Sequence, residues 1–254
     1  MIIRDMDCYN NFAYIYDDLI NNDINYELWS NTIMKVCKEC NIDNKDYLDI
    51  GCGTGNLTEK IVPNFKNSWC VDLSSDMLTK AQEKFIYKKL KVKLVCQNMI
   101  ELNLNRQFDL ITCCLDCTNY IIEDMELTKY FKSVIKHLKP NGIFIFDINS
   151  YYKITEVLGN NIYDYDDDKI TYIWDNNLEN EIVDMYLIFF IKEGQLYRRF
   201  DEHHSERAYK CEQLEGILSE CGFQVLKKLD NYSDKVPQLN SERIVYVVNK
   251  KENN

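Results

Sequence analysis

The sequence predicts an α/β protein built on a mostly parallel sheet, with helices on both faces and an added antiparallel sheet. Three observations predict it. Between residues 46 and 149, short apolar strands alternate with amphipathic helical stretches. The first of these strands runs into a glycine-rich turn, Gly51-Cys52-Gly53-Thr54-Gly55. From about residue 160 to 207 the alternation stops and three strand-like stretches follow one another. A repeated strand–helix–strand rhythm requires parallel strands, and right-handed crossovers place helices on both sheet faces. Consecutive strands joined by polar turns require antiparallel pairing.

Each element follows from its local pattern. Residues 8–40 read as helical, with Trp29, Ile33, Val36 and Cys37 at helical spacing and a high density of aromatics, namely Tyr9, Phe12, Tyr14, Tyr16, Tyr26 and Trp29. Residues 47–50 form a strand, and 56–62 a helix that Pro63 ends. Residues 69–71 form a second strand closing at Asp72. Ser74 or Ser75 caps the next helix, whose apolar face is Met77, Leu78, Ala81 and Phe85. Strands are expected at 92–96 and 108–113, the latter a nearly continuous apolar run of the buried parallel type. A helix carrying Leu127, Phe131, Val134 and Leu138 stops at Lys139-Pro140-Asn141-Gly142, before a strand over 143–148. The inserted strands are placed at 169–174, 181–191 and 195–200. A helix over 211–220, a break at Gly222 and strands over 223–229 and 244–248 complete the chain.

With 254 residues, 46% of them hydrophobic, the chain can bury one substantial core. Only 3 prolines and 8 glycines occur and no stretch reads as a linker, so residues 1–254 are expected to form a single domain. Within it, 1–44 form a helical N-terminal part, 45–150 and 209–250 the α/β core, and 151–208 the inserted sheet. The net charge of -11 disfavours nucleic acid as a partner. The densest basic group, Lys88, Lys89, Lys91 and Lys93, reads as a solvated helix end and strand start. No secretory h-region and no run of about 18 apolar residues is present, so no membrane span and a cytoplasmic location are expected. The 11 cysteines read as reduced core thiols. The pairs Cys37/Cys40 and Cys114/Cys117 are too far apart in sequence for a compact zinc ribbon, so no metal site is expected.

The glycine turn specifies a ligand class. Glycines at a strand–helix junction let the backbone turn tightly and lie close to a bound molecule. A phosphate-cradling loop needs Gly-Lys-Ser/Thr, and a dinucleotide fingerprint needs a further glycine where Asn56 stands. No Lys or Arg lies between Leu48 and Asn56, so an uncharged nucleoside suits the turn better than a phosphate. Asp72 can accept hydrogen bonds from a ribose diol. Asn98 can read an adenine edge, with Leu73, Met77 and Met99 packing on its faces.

The strings LDIGCGTGN, VDLSSDML, QNM and FDLITC, in that order, resemble the class I S-adenosylmethionine-dependent methyltransferases over about residues 46–149. The resemblance implies a Rossmann-like seven-stranded sheet whose last strand is antiparallel. It implies S-adenosylmethionine as cofactor. Asp49 and Gly51 would hold its methionine end, and Cys52, Gly53, Gly55 and Asn56 would lie along it. Asp72 would bind the ribose, and Leu73, Met77, Asn98 and Met99 the adenine. Many members carry Asp where Asn98 stands.

Cys114, after the fourth strand, lies where the methyl group would sit. The exit segment Cys113-Cys114-Leu115-Asp116-Cys117-Thr118-Asn119-Tyr120 lacks the Asn-Pro-Pro-Tyr that marks methylation of base or glutamine amino groups in this family. It looks like the loop of small-molecule N-methyltransferases related to glycine N-methyltransferase and sugar-amine dimethyltransferases. Those enzymes close an aromatic helical N-terminal lid over the cofactor, which makes Tyr9, Tyr14, Tyr16 and Trp29 candidates here. Tyr14 and His204 are the candidate catalytic residues, His204 from the cluster Asp201-Glu202-His203-His204-Ser205-Glu206-Arg207, for which a surface turn is the alternative. The expected partner is a small-molecule acceptor, methylated at nitrogen, and a homodimer is compatible with this reading. RNA methylation and non-catalytic cofactor binding are the alternatives.

Overall fold

The computed structural model describes residue 17 and residues 24–251. Tyr9, Tyr14 and Tyr16 lie outside the described residues, as do residues 8–16 and 18–23 of the expected helical stretch. Its described continuation, α1 (Tyr26–Glu39), starts where the Asn25 side chain accepts the Leu28 N–H at 3.0 Å. Trp29, Ile33, Val36 and Cys37 are its buried face, as their spacing predicts.

Seven strands form the main sheet in the order β10-β11-β5-β4-β1-β2-β3. They are β1 (Asp46–Ile50), β2 (Asn67–Asp72), β3 (Val92–Cys96), β4 (Phe108–Cys113), β5 (Leu138–Asn149), β10 (Phe223–Asp230) and β11 (Arg243–Lys250). Strands β1 to β5 pair in parallel; β11 lies antiparallel between β5 and β10. The central strands β1 and β4 are buried along their whole length, which explains their mainly apolar sequence, the buried polar residues Asp46, Asp49, Asp109 and Thr112 apart. Helices α2 (Asn56–Ile61), α3 (Ser75–Tyr87), α4 (Asp124–His137) and α5 (Cys211–Glu220) join them. Ser74, not Ser75, caps α3, accepting the Met77 N–H at 3.2 Å.

The chain leaves β1 toward β2 and β3, then returns to lay β4 and β5 on the other side. A crevice therefore opens between the C-terminal ends of β1 and β4, the usual ligand position in such sheets. Leu138 does not end the preceding helix as its spacing suggested. It starts β5 by pairing with Phe108, and an irregularity over the next residues restores register at Ile143, opposite Leu110.

The insert is a four-stranded antiparallel sheet, β6 (Ile162–Asp166), β7 (Ile170–Glu179), β8 (Ile182–Glu193) and β9 (Leu196–Arg207). A π-helical segment, Lys153–Leu158, leads into it. Ile154 and Leu158 pack with Val183, Met185 and Ala208 and tie the insert to its base. Strand β6 escapes the sequence reading because it is short and mostly exposed, so no buried apolar run marks it. Strand β9 continues past residue 200 to Arg207, so the His203-His204 segment is strand rather than turn. Among the described residues no helix is long and apolar enough to cross a membrane.

Candidate active site

The glycine turn follows β1 directly. Gly51 has φ +65°, and a Cβ there would stand 2.6 Å from the Cys117 Sγ. Gly53 has φ +53°, and a Cβ there would meet nothing within 4 Å. The first glycine is thus required by the packing of the protein itself, while the second presents open space that a ligand can fill. Gly51→Ala is expected to lower stability by roughly 1–3 kcal/mol, from the left-handed backbone and the clash with sulfur. Gly53→Ala should cost about 1 kcal/mol in stability yet weaken cofactor binding at least tenfold. Thermal melts and cofactor titration of the two variants separate these outcomes.

Asp72 ends β2 and turns its carboxylate onto the loop. Its Oδ2 accepts the Gly53 N–H at 2.7 Å and its Oδ1 the Ser74 N–H at 2.9 Å. Each oxygen retains acceptor capacity for a ribose hydroxyl. Burial raises its pKa despite the backbone donors. Next to it Leu73 is 58% exposed, an apolar platform at the crevice rim. Asn98 is exposed and its Oδ1 accepts the Ile100 N–H at 2.9 Å, while Met99 is half-buried beside it. An open glycine face, an anchored acid and an exposed apolar side chain fit an uncharged nucleoside.

Several predicted residues support the loop rather than face the crevice. Asp49 is buried, and its carboxyl accepts from Thr58 Oγ1 at 2.5 Å and Thr112 Oγ1 at 2.7 Å. Burial pushes it up to about 6. Both ends of the Asn56 amide are engaged, Nδ2 donating to Asp17 at 2.9 Å and Oδ1 accepting from Lys84, which leaves its backbone for a ligand. Asp17 also accepts from Thr54 Oγ1 at 2.6 Å and pairs with Lys84 at 2.9 Å, so residue 17 holds the glycine turn from outside. Met77 is buried with Leu78, Ala81 and Phe85 on α3. Cys52 lies half-buried at the turn; Cys114 is buried, and burial raises its thiol well above the usual range. Trp29, a candidate for the cofactor, belongs to the core of this region. It is 3% exposed, stacks on Tyr232 at 4.1 Å and carries the Arg243 guanidinium over its ring at 5.4 Å.

Those partners belong to a buried network that sequence reading missed. Leu115 and Asp116, after β4, both adopt left-handed backbone, with φ 59° and 51°. Asp147 of β5 holds them there, accepting the Leu115 N–H at 2.9 Å and the Asp116 N–H at 2.8 Å. The same carboxylate accepts from Tyr232 Oη at 2.5 Å and from Arg243, whose other nitrogen donates to Asp116 at 2.7 Å. Nearby, Asn119 donates to the carbonyls of Asn149 (3.1 Å) and Arg207 (2.9 Å), stitching the β4 exit to the insert. A charge inside an apolar strand, as in IFIFDIN and RIVYVV, was the available sequence signal.

Strand β9 closes this end. Alternate residues Glu202, His204 and Glu206 are buried on one face, while His203 is exposed. His204 meets the Tyr120 ring edge-on at 5.9 Å. Burial, then the neighbouring His203, pushes His204 down to about 4, so it is neutral at pH 7. Glu206 accepts from Asn149 Nδ2 at 2.8 Å, and burial followed by the Asp116 charge pushes it up to about 8. The C-terminal ends of β1 and β2 thus carry the glycine turn and Asp72, while acids stand on the β4 exit (Asp116), β5 (Asp147) and β9 (Glu206). A cavity of about 1020 Å³ lined by Arg106, Lys129, Lys132, Lys136 and Lys139 lies at the opposite edge of the sheet. Among the described residues, no cluster of three or more metal-ligating side chains is present.

Comparison with known proteins agrees with this geometry. A family described as a methyltransferase domain matches residues 48–142. A Geobacillus sp. (strain WCH70) protein that carries a provisional methyltransferase name is 33% identical over 251 residues, covering 95% of this chain and 99% of that protein. The crystal structure of an S-adenosylmethionine-dependent methyltransferase from Clostridium acetobutylicum ATCC 824 superposes with a TM-score of 0.91 and 53% identity, covering 96% of this chain and 99% of that one. The sugar N-methyltransferase KedS8 from Streptoalloteichus sp. ATCC 53650 shares the fold, with a TM-score of 0.77 at 18% identity and 93% coverage of both chains. The four motifs in register, the seven-stranded sheet with β11 antiparallel, and relatives alike over nearly their full length lead to one conclusion: the chain belongs to the class I S-adenosylmethionine-dependent methyltransferases.

Proposed function

We propose that the enzyme methylates a small-molecule amine. The observation that carries this reading is the cluster at the β4 exit and β9, where Asp116 lies half-buried and His204 and Glu206 are buried on one face of the inserted sheet. Two acids favour a cationic or hydrogen-bond-donating acceptor, and their burial favours a small one. The family resemblance of the β4 exit and the name of the sugar N-methyltransferase neighbour point the same way. Nucleic acid is disfavoured because the basic cavity lies at the sheet edge away from the glycine turn.

When bound, S-adenosylmethionine supplies a methyl group already activated on a sulfonium. The protein therefore contributes alignment and desolvation more than chemical activation. Gly53 leaves room for the nucleoside, and Asp72 accepts its ribose hydroxyls. Asn98, Leu73 and Met99 border the adenine. The Leu115–Asp116 turn, held by Asp147, shapes the wall between donor and acceptor. Neutral His204, with Tyr120, positions the acceptor.

The test is incubation with cofactor and a panel of amino sugars and alkylamines beside their hydroxyl analogues, read by mass spectrometry. N-methylated products from the amines, with none from the hydroxyl compounds, are expected. Methylation of hydroxyl groups alone would refute the reading. His204→Ala should lower methyl transfer to the accepted amine at least tenfold; an unchanged rate removes His204 from the site.

A further inference from the structure

We propose that Glu206 selects a protonated amine as acceptor and takes its proton before the methyl group moves. The inference rests on the amine reading above and gives it a residue. Glu206 is 3% exposed, and its Oε2 is held by Asn149 Nδ2 at 2.8 Å. Among the described residues no Lys, Arg or His lies within ion-pair distance of it. A second, independent observation points to a missing donor. The Oδ1 of Asn149, a residue 4% exposed, is buried without any hydrogen-bond partner. Buried polar atoms of this kind are rarely left unmatched.

The groups facing Glu206 come from every element around it. Asp116 lies on the β4 exit, with its Oδ1 held by Arg243 of β11. Lys153 of the π-helical segment and Arg243 act from a distance and lower its pKa, but burial and Asp116 outweigh them. His204 sits two residues along the same strand face. Glu206, Asp116 and Asn149 Oδ1 together offer three acceptors, and an ammonium group has three donors. An alcohol offers one.

The step balances as follows. The ammonium N–H bond breaks and the proton forms an O–H bond on ionised Glu206, leaving a lone pair on nitrogen. That lone pair forms the new C–N bond as the S–CH3 bond breaks, its electron pair remaining on sulfur. The product nitrogen carries the positive charge formerly on sulfur, and the Glu206 proton leaves to solvent as the site opens. Free Glu206 holds a proton at neutral pH, so entry of an ammonium releases one proton.

Calorimetric titration of cyclohexylamine and cyclohexanol into the S-adenosylhomocysteine complex tests this, in two buffers of different ionisation enthalpy between pH 6 and 9. Wild-type protein should bind the amine in preference to the alcohol. It should release a proton on binding, and its affinity should rise by up to about tenfold per pH unit until Glu206 ionises near pH 8. Glu206→Gln should lose at least tenfold in amine affinity, release no proton and show no such rise. His203→Ala, at an exposed position, should behave as wild type. An unchanged melting temperature and S-adenosylhomocysteine affinity would show that Glu206→Gln is folded. Equal amine binding by wild type and Glu206→Gln would overturn the role of Glu206 and leave the amine reading standing. Alcohol binding as tight as amine binding, in wild type, would overturn both.

Discussion

Asp147→Ala is expected to destabilise the protein by about 3–5 kcal/mol, and at 37 °C to leave much of it unfolded. Asp147 is fully buried and satisfies two backbone N–H groups, the Tyr232 hydroxyl and the Arg243 guanidinium at once. Removing it leaves a buried cation short of its partner and takes two backbone hydrogen bonds from the consecutive left-handed residues Leu115 and Asp116. Trp29 would lose a firm stacking partner as Tyr232 relaxes. Urea denaturation measures the loss. The double variant Asp147→Leu, Arg243→Met should recover part of it, because an absent pair costs less than a broken one. A single Asp147→Ala variant within 1 kcal/mol of wild type would mean that the β4 exit is held by something else.

Asp72→Ala is expected to weaken S-adenosylmethionine binding about 100-fold, roughly 2.7 kcal/mol, with little loss of fold. Two effects add. The ribose loses its charged acceptor, and the Gly53 N–H loses the carboxylate that fixes the turn at 2.7 Å. Asp72→Asn separates them, since an amide oxygen can still accept from Gly53 or from one hydroxyl, and should lie between alanine and wild type. Titration calorimetry with S-adenosylhomocysteine reads both. Affinity within threefold of wild type in the alanine variant would remove Asp72 from the donor site.

The donor half of the site was legible because it is local. Strands β1 to β4 announce themselves as short apolar runs, and the glycine turn and Asp72 each sit at the end of one. The helix α5 and strand β3 have the bounds their patterns predict. The proposed acceptor half is assembled from residues 116, 147, 206 and 243, which no local pattern joins. Their burial is set by strand order, and strand order is not written in any single window. Strand β9 was cut short for a related reason. Its last residues are polar yet alternately buried, and a polar strand facing inward looks in sequence like a turn. Trp29 reads in sequence as an aromatic of the lid, and in the structure it packs against Tyr232 and Arg243 of the buried network.

The most direct test of the whole arrangement is a crystal structure with S-adenosylhomocysteine bound. The ribose is expected on Asp72, the adenine between Leu73 and Met99, the nucleoside across the open face of Gly53, and the sulfur directed toward the Asp116–Glu206 end. Ligand found instead in the basic cavity lined by Arg106 and Lys132, or with its sulfur turned away from β4 and β9, would contradict it.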